Sequence, residues 1–215
     1  MARYQRDAKT IGQGQYNQYM ANPETIRFYR KRLPHWEVAD GRYFVTIRRK
    51  GAIPEEGQQT IRKLREQMER AVENGQDGVR QHRMIFREME RWLDRADTTD
   101  DLVRPDVVDV LNEAVRHREK TDVWKMYAWV IMPNHVHLFF TLGGVCRAAP
   151  CEGGSSRLEE PTRTTLETVL TQFKRWTGHE VGKILDLREE RFWQREWFDH
   201  WSRSPEHDEG IIRYI

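Results

Sequence analysis

The sequence predicts an α+β fold, and three patterns carry that prediction. Two β-rich runs, Trp124 to Ile131 and His135 to Leu142, flank Met132-Pro133-Asn134. Pro-Asn is turn chemistry, so the two runs read as an antiparallel pair. A third run, Tyr43 to Arg48, alternates between Gly41 and Gly51 and reads as another strand. Segments with apolar residues at helical spacing fill most of the remaining chain.

The helical segments can be justified in order. Pro54 and the acids after it open a helix over about 55–74, where Ile61, Leu64, Met68 and Ala71/Val72 keep helical spacing and Gly75 supplies a C-cap. A second covers 79–95, with Ile85, Phe86, Met89, Trp92 and Leu93 on one face. A third follows Pro105, a residue suited to the first helical position, and carries Val107, Val108, Leu111, Ala114 and Val115. The region from 55 to 120 is dense in Glu and Arg, and these charges read as solvated helix faces. Residues 145–163 are rich in Gly, Ser and Pro and read as a loop. A helix over 164–184 should bury Leu166, Val169, Leu170, Phe173, Trp176 and Thr177. The aromatic stretch 192–201 reads as irregular, and a last helix starts near Glu206 with Ser204 or Asp208 at its cap. The first 30 residues show no period.

Composition narrows the function classes. Charged residues make up 33% of the chain and the hydrophobic set only 38%, yet 8 Trp, 8 Phe and 7 Tyr supply enough surface to bury, which excludes disorder throughout. No apolar run reaches the roughly 18 residues of a membrane span. The start, MARYQRDAKTIGQGQY, has no apolar signal core, so the expected location is the cytoplasm. Cys146 and Cys151 make neither a disulfide framework nor a zinc site and read as reduced thiols in the loop. Net charge is +2, but residues 1–50 hold 11 Lys/Arg against 4 acids, a net +7 that leaves −5 for the remainder. Such a basic segment points to a polyanionic partner.

The chemistry concentrates at His135 and His137. Strand side chains alternate, so both imidazoles leave one face while Val136, Leu138, Phe140 and Leu142 leave the other. Two imidazoles one residue apart can reach a single cation. The whole string, Ala128-Trp129-Val130-Ile131-Met132-Pro133-Asn134-His135-Val136-His137, resembles the A-W-V-x-M-P-N-H-V-H segment of the REP-associated tyrosine transposases. Those are single-tyrosine members of the HUH-type single-strand DNA transposases. Four further blocks are similar to that family. They are Arg32 to Trp36 with Tyr43 to Thr46, the helix with Gln172-Phe173-Lys174-Arg175, Trp193-Gln194-Arg195 with Phe198-Asp199-His200 and Arg203, and Ile211-Ile212-Arg213-Tyr214-Ile215.

The resemblance implies a ferredoxin-like sandwich with a central antiparallel sheet over 32–215, interrupted by a helical insertion at about 55–120 and preceded by a basic arm over 1–31. It implies a divalent metal, Mg²⁺ or Mn²⁺, on His135 and His137. It implies Tyr214 as a nucleophile that forms a 5′-phosphotyrosine on single-stranded, hairpin-forming repeat DNA. Lys174, Arg175, Lys183, Trp193, Gln194, Arg195 and Arg203 are the expected DNA contacts, with Asn134, Asp199 and His200 as secondary site candidates. A monomer is expected. In the family a polar residue one helical turn beyond the tyrosine usually completes the metal site. This sequence ends at Ile215, so the resemblance supplies no third ligand and predicts a poorly held Tyr214. The same scaffold could also bind a DNA hairpin without cutting it, or serve as an RNA-binding regulator.

Overall fold

The computed structural model describes residues 25–30, 34–74, 79–95, 100–143, 164–188 and 190–215. The arm up to residue 24, the cap at Gly75, the loop at 145–163 and both cysteines lie outside the described residues. Within them the α+β expectation holds. The strands are β1 (Thr25–Arg30), β2 (Pro34–Val38), β3 (Arg42–Arg48), β4 (Trp124–Ile131), β5 (His135–Leu142) and β6 (Phe198–Trp201). The helices are α1 (Glu55–Glu73), α2 (Val79–Arg95), α3 (Pro105–Lys120), α4 (Leu166–Ile184) and α5 (Pro205–Tyr214). No helix among the described residues is long and apolar enough to cross a membrane.

Four strands form an antiparallel sheet in the order β4-β5-β3-β6, and β1 pairs with β2 in a separate two-stranded sheet. Residues 25–30, which the sequence places in the arm, are therefore a strand. The stretch at 192–201 is not wholly irregular either. Its end, β6, pairs with the edge of β3 that β5 leaves open, setting His200 opposite Phe44. Local propensity could not show this, because the partner is some 150 residues away in sequence.

The sheet is buried on both faces. On one, Val45, Ile47, Val136, Leu138 and Phe140 pack with α3 and α4 in the largest apolar cluster. Among the buried indoles there, Trp129 Nε1 donates to Asn112 Oδ1 at 3.0 Å and Trp193 Nε1 to Thr177 Oγ1 at 2.9 Å. On the other face, Phe44, Ala128, Val130 and Phe139 pack with Ile211 and Ile215 of the α5 segment. A bulge in β4 makes the two sets compatible. Met126 pairs with Phe140 and Ala128 with Phe139, so Tyr127 is an extra residue. Before it, Trp124 and Met126 face the α3/α4 core, and after it Trp129 and Ile131 do. One sequence expectation fails on α4. Trp176 is 40% exposed, because Phe173, Thr177 and Val181 already occupy the buried stripe.

α1 and α2 form a helical hairpin that reaches the second face. Its close packing depends on Gly57, where an added Cβ would lie 2.7 Å from the Trp92 ring. Gly143 ends β5 under a harder limit, since a Cβ there would sit 1.7 Å from the Asp122 carbonyl oxygen.

Leu138 is fully buried in the largest cluster. Leu138→Ala should lower unfolding free energy by about 2–5 kcal/mol in urea titrations. A loss below about 1 kcal/mol would mean that this strand face is not the packed core.

Candidate metal centre and its tyrosine

His135 and His137 leave the same sheet face, as strand alternation predicts, and both are buried. Their Nε2 atoms face each other at 2.9 Å. The outer nitrogens are held by protein groups. His135 Nδ1 meets Asn134 Oδ1 at 2.6 Å, and Asn134 Nδ2 donates to the Leu93 carbonyl at 2.8 Å. That second bond fixes the orientation of the amide, so Oδ1 is the acceptor and His135 Nδ1 carries the proton. His135 Nε2 therefore presents a lone pair. Burial, then the charges of His137 and Arg48, press the His135 pKa well below its ordinary value and keep the ring neutral.

Thr46, opposite His137 on β3, places its Oγ1 3.0 Å from His137 Nδ1. A hydroxyl can donate or accept. When it donates, His137 Nε2 can carry the proton and donate to His135. When it accepts, both Nε2 lone pairs point into the same gap, an arrangement that needs a cation there.

The third donor comes from an element that the sequence reading treated as solvated. Glu90, on α2, is only 8% exposed, and its Oε2 lies 3.3 Å from His137 Nε2. Glu90, His135 and His137 each offer one ligand atom, all within 4.8 Å of one another. Glu90 Oε1 is buried without a hydrogen-bond partner among the described residues. An orphaned carboxylate oxygen beside two facing imidazole nitrogens is a donor set that fits a divalent cation. A signal for Glu90 was present in the sequence. It lies four residues after Phe86, one after Met89 and three before Leu93, inside the apolar stripe of its helix.

Tyr214 reaches the same place. Its hydroxyl donates to Glu90 Oε2 at 2.5 Å, and its ring lies 5.5 Å from that of His137 and 6.0 Å from that of Phe44. The terminal position does not leave it loose. Ser204 Oγ caps α5 by accepting from the His207 amide, Arg42 pairs with Asp208 at 2.8 Å, and Ile211 and Ile215 are buried. The tyrosine itself is 53% exposed, so a substrate can approach it. Its pKa is raised, by burial first and then by the negative charge and hydrogen bond of Glu90.

The other sequence candidates fall into three places. Lys174, Arg175, Lys183, Trp193, Gln194 and Arg195 line one groove of about 790 Å³ beside α4, the helix that packs on the sheet face opposite the histidines. Trp193 is a buried wall of that groove, and Lys174 Nζ donates to the Arg195 carbonyl. Arg203 and His200 lie instead around a second cavity, between α2 and β6. Asp199 is buried against His35 Nδ1 and ties β2 to the main sheet.

No protein-family model matches the chain, and no curated protein matches it. Among solved structures, it is similar to a REP-associated tyrosine transposase bound to a REP hairpin, with 13% identity and a TM-score of 0.45 over 88% of this chain and 70% of that chain. What this chain does has to be read from its own side chains.

Two outcomes follow from the geometry. Mn²⁺ titrations should give one site whose affinity falls by about 10–100-fold in Asn134→Ala and at least as far in Glu90→Ala. An unchanged Kd in Glu90→Ala would remove Glu90 from the ligand set. The second concerns His82, which stacks on Phe198 with centroids 4.5 Å apart. Burial, then the charges of His35 and Arg203, lower its pKa from 6.5 to about 4. Between those values the unfolded chain binds the proton and the folded chain does not, so stability falls as pH falls. His82→Phe should remove up to about 1.4 kcal/mol per pH unit of that slope. Parallel stability–pH curves for the variant and the original chain would show that His82 does not titrate differently on folding.

Proposed function

We propose that the chain is a metal-dependent tyrosine nuclease and strand transferase acting on single-stranded, hairpin-forming DNA. One observation carries the reading: the Tyr214 hydroxyl sits on a buried carboxylate that shares a cation-sized gap with two imidazoles. The resemblance of residues 128–137 and 193–203 to the REP-associated tyrosine transposases supports the same chemistry. So does the sheet order, which matches a β-α-β-β-α-β ferredoxin-like arrangement once α1 and α2 are taken as an insertion.

Glu90, His135 and His137 would hold the cation. Two nitrogens and one carboxylate suit Mn²⁺ better than Mg²⁺, which prefers oxygen alone. The cation would supply Lewis-acid polarisation of a phosphate oxygen. The remaining work falls to the protein's own groups. Tyr214 Oη attacks the phosphorus, a phosphotyrosine forms at the 5′ side, and the bond to the 3′ oxygen breaks. Glu90 Oε2 already accepts the phenolic proton and is placed to take it as the new bond forms. The 3′ oxygen leaves as a hydroxyl, its proton coming from solvent or from Glu90. Reversal of these steps on another 3′-hydroxyl rejoins the strand. Burial and the charge of Glu90 raise the pKa of Tyr214, and a cation held by Glu90 would offset the second of these. The groove beside α4, with Lys174, Arg175, Lys183 and Arg195 on its walls, suits the phosphates of a hairpin stem.

The test is incubation with labelled hairpin DNA and Mn²⁺, followed by denaturing electrophoresis. A covalent adduct should form in the original chain and vanish in Tyr214→Phe, with hairpin affinity changed less than about threefold, since one hydroxyl in a contact of this size contributes little to binding. An adduct that survives Tyr214→Phe would assign the nucleophile elsewhere. Hairpin binding with no adduct under any divalent cation would favour the non-cleaving alternative.

A further inference from the structure

The cavity of about 410 Å³ between α2, β6 and the start of α5 has no role in the chemistry just described. Its walls combine two kinds of group. Flat surfaces come from Phe86 and Phe198, stacked at 4.7 Å and 28°, and from His200 and His207, stacked at 5.3 Å and 10°. Cations come from Arg83 and Arg87, one turn apart on the exposed side of α2, and from Arg203, whose guanidinium stands 5.0 Å from the Trp201 ring centre. The one carboxylate at the wall, Asp199, is engaged by His35.

The field inside is positive, and its effect is visible on the histidines. Burial first, with Arg203 among the further causes in each case, lowers the pKa of His82 to about 4, of His200 to about 3, and of His207 below its ordinary value. At neutral pH the imidazoles at this wall are therefore uncharged. The exposed His207 then offers its ring and its Nε2 edge while the arginines hold the positive charge. The ligand that matches such a site has an aromatic plane with hydrogen-bonding edges and carries a phosphate. That is a nucleotide, and the volume takes one rather than a stacked pair or a duplex.

Position decides which nucleotide. The Phe44 ring lies 5.1 Å from that of His200 on the cavity side and 5.1 Å from that of His137 on the metal side. A single ring thus separates the cavity from the place where a scissile phosphate would sit. We propose that this cavity receives one unstacked nucleotide of the cut strand, next to the scissile phosphate, with its base against His207 and Phe86 and its phosphate on Arg203 and Arg83. This assignment rests on the strand-cleaving reading above and adds to it a source of sequence preference at a single position.

The test is an abasic scan. Hairpin oligonucleotides with a flanking single strand each carry one tetrahydrofuran abasic residue, and Kd is measured by fluorescence anisotropy at fixed salt. In the original chain one position beside the cut should lose about tenfold in affinity when the base is removed, in line with loss of one stacked base. In His207→Ala that position should become insensitive to base removal. Arg203→Gln changes another exposed side chain and serves if His207→Ala does not fold. It should weaken binding and flatten the log–log salt slope by about 0.7. Equal affinities for all abasic oligonucleotides would overturn the cavity assignment while leaving the cleavage reading intact. So would a sensitive position that persists in His207→Ala, or an unchanged salt slope in Arg203→Gln. Failure of the original chain to bind any hairpin or form an adduct would overturn both.

Discussion

Asn134 uses both ends of its side-chain amide, and the site depends on that bridge. One end sets the proton on His135 and so leaves a lone pair facing His137. The other bonds the Leu93 carbonyl at the end of α2, the helix that carries Glu90. A single amide thus sets both the tautomer of one ligand and the height of the helix that delivers another. Its position in the tight turn before β5 allows it to do both, because the turn projects it past the sheet edge toward α2.

Burial gives these contacts their weight. A carboxylate and two imidazoles are buried together, so each of their polar atoms must find a partner or lose much free energy. Glu90 Oε1 lacks one among the described residues. The surrounding structure tolerates that loss because apolar packing on both sides of the sheet holds the cluster in place. Gly57 belongs to the same account, since it lets the α1–α2 pair close tightly enough to keep Glu90 over the histidines.

Much of this architecture was legible in the sequence. The β4–β5 pair, its turn and the shared face of the histidines follow from alternation and Pro-Asn chemistry, which are local. The bounds of α1, α2 and α4 follow from apolar spacing. Less legible were the features that depend on distant pairing. β6 exists because β3 has an open edge, and β1 because β2 lies beside it. Glu90 was missed for a different reason. A dense Glu/Arg helix suggests solvated faces, and only its place between Phe86 and Leu93 sets this acid apart from its neighbours. The expectation of a loosely held Tyr214 likewise ignored anchors on other elements, Arg42 above all.

The bulge at Tyr127 gives β4 something like a reading frame. Ahead of it even-numbered residues face the α3/α4 core, and beyond it odd-numbered ones do. Substitutions along the strand act locally, but loss or gain of one residue between Met126 and Ile131 would exchange the inward and outward sets for the rest of the strand. Trp129 and Ile131 would then turn toward the histidine face, and Ala128 and Val130 would fill only part of the space left behind. The small residues on the histidine face, Val130 opposite His137 among them, are thus kept in place by a count of residues as much as by their identity. Length is the more stringently constrained property of this segment.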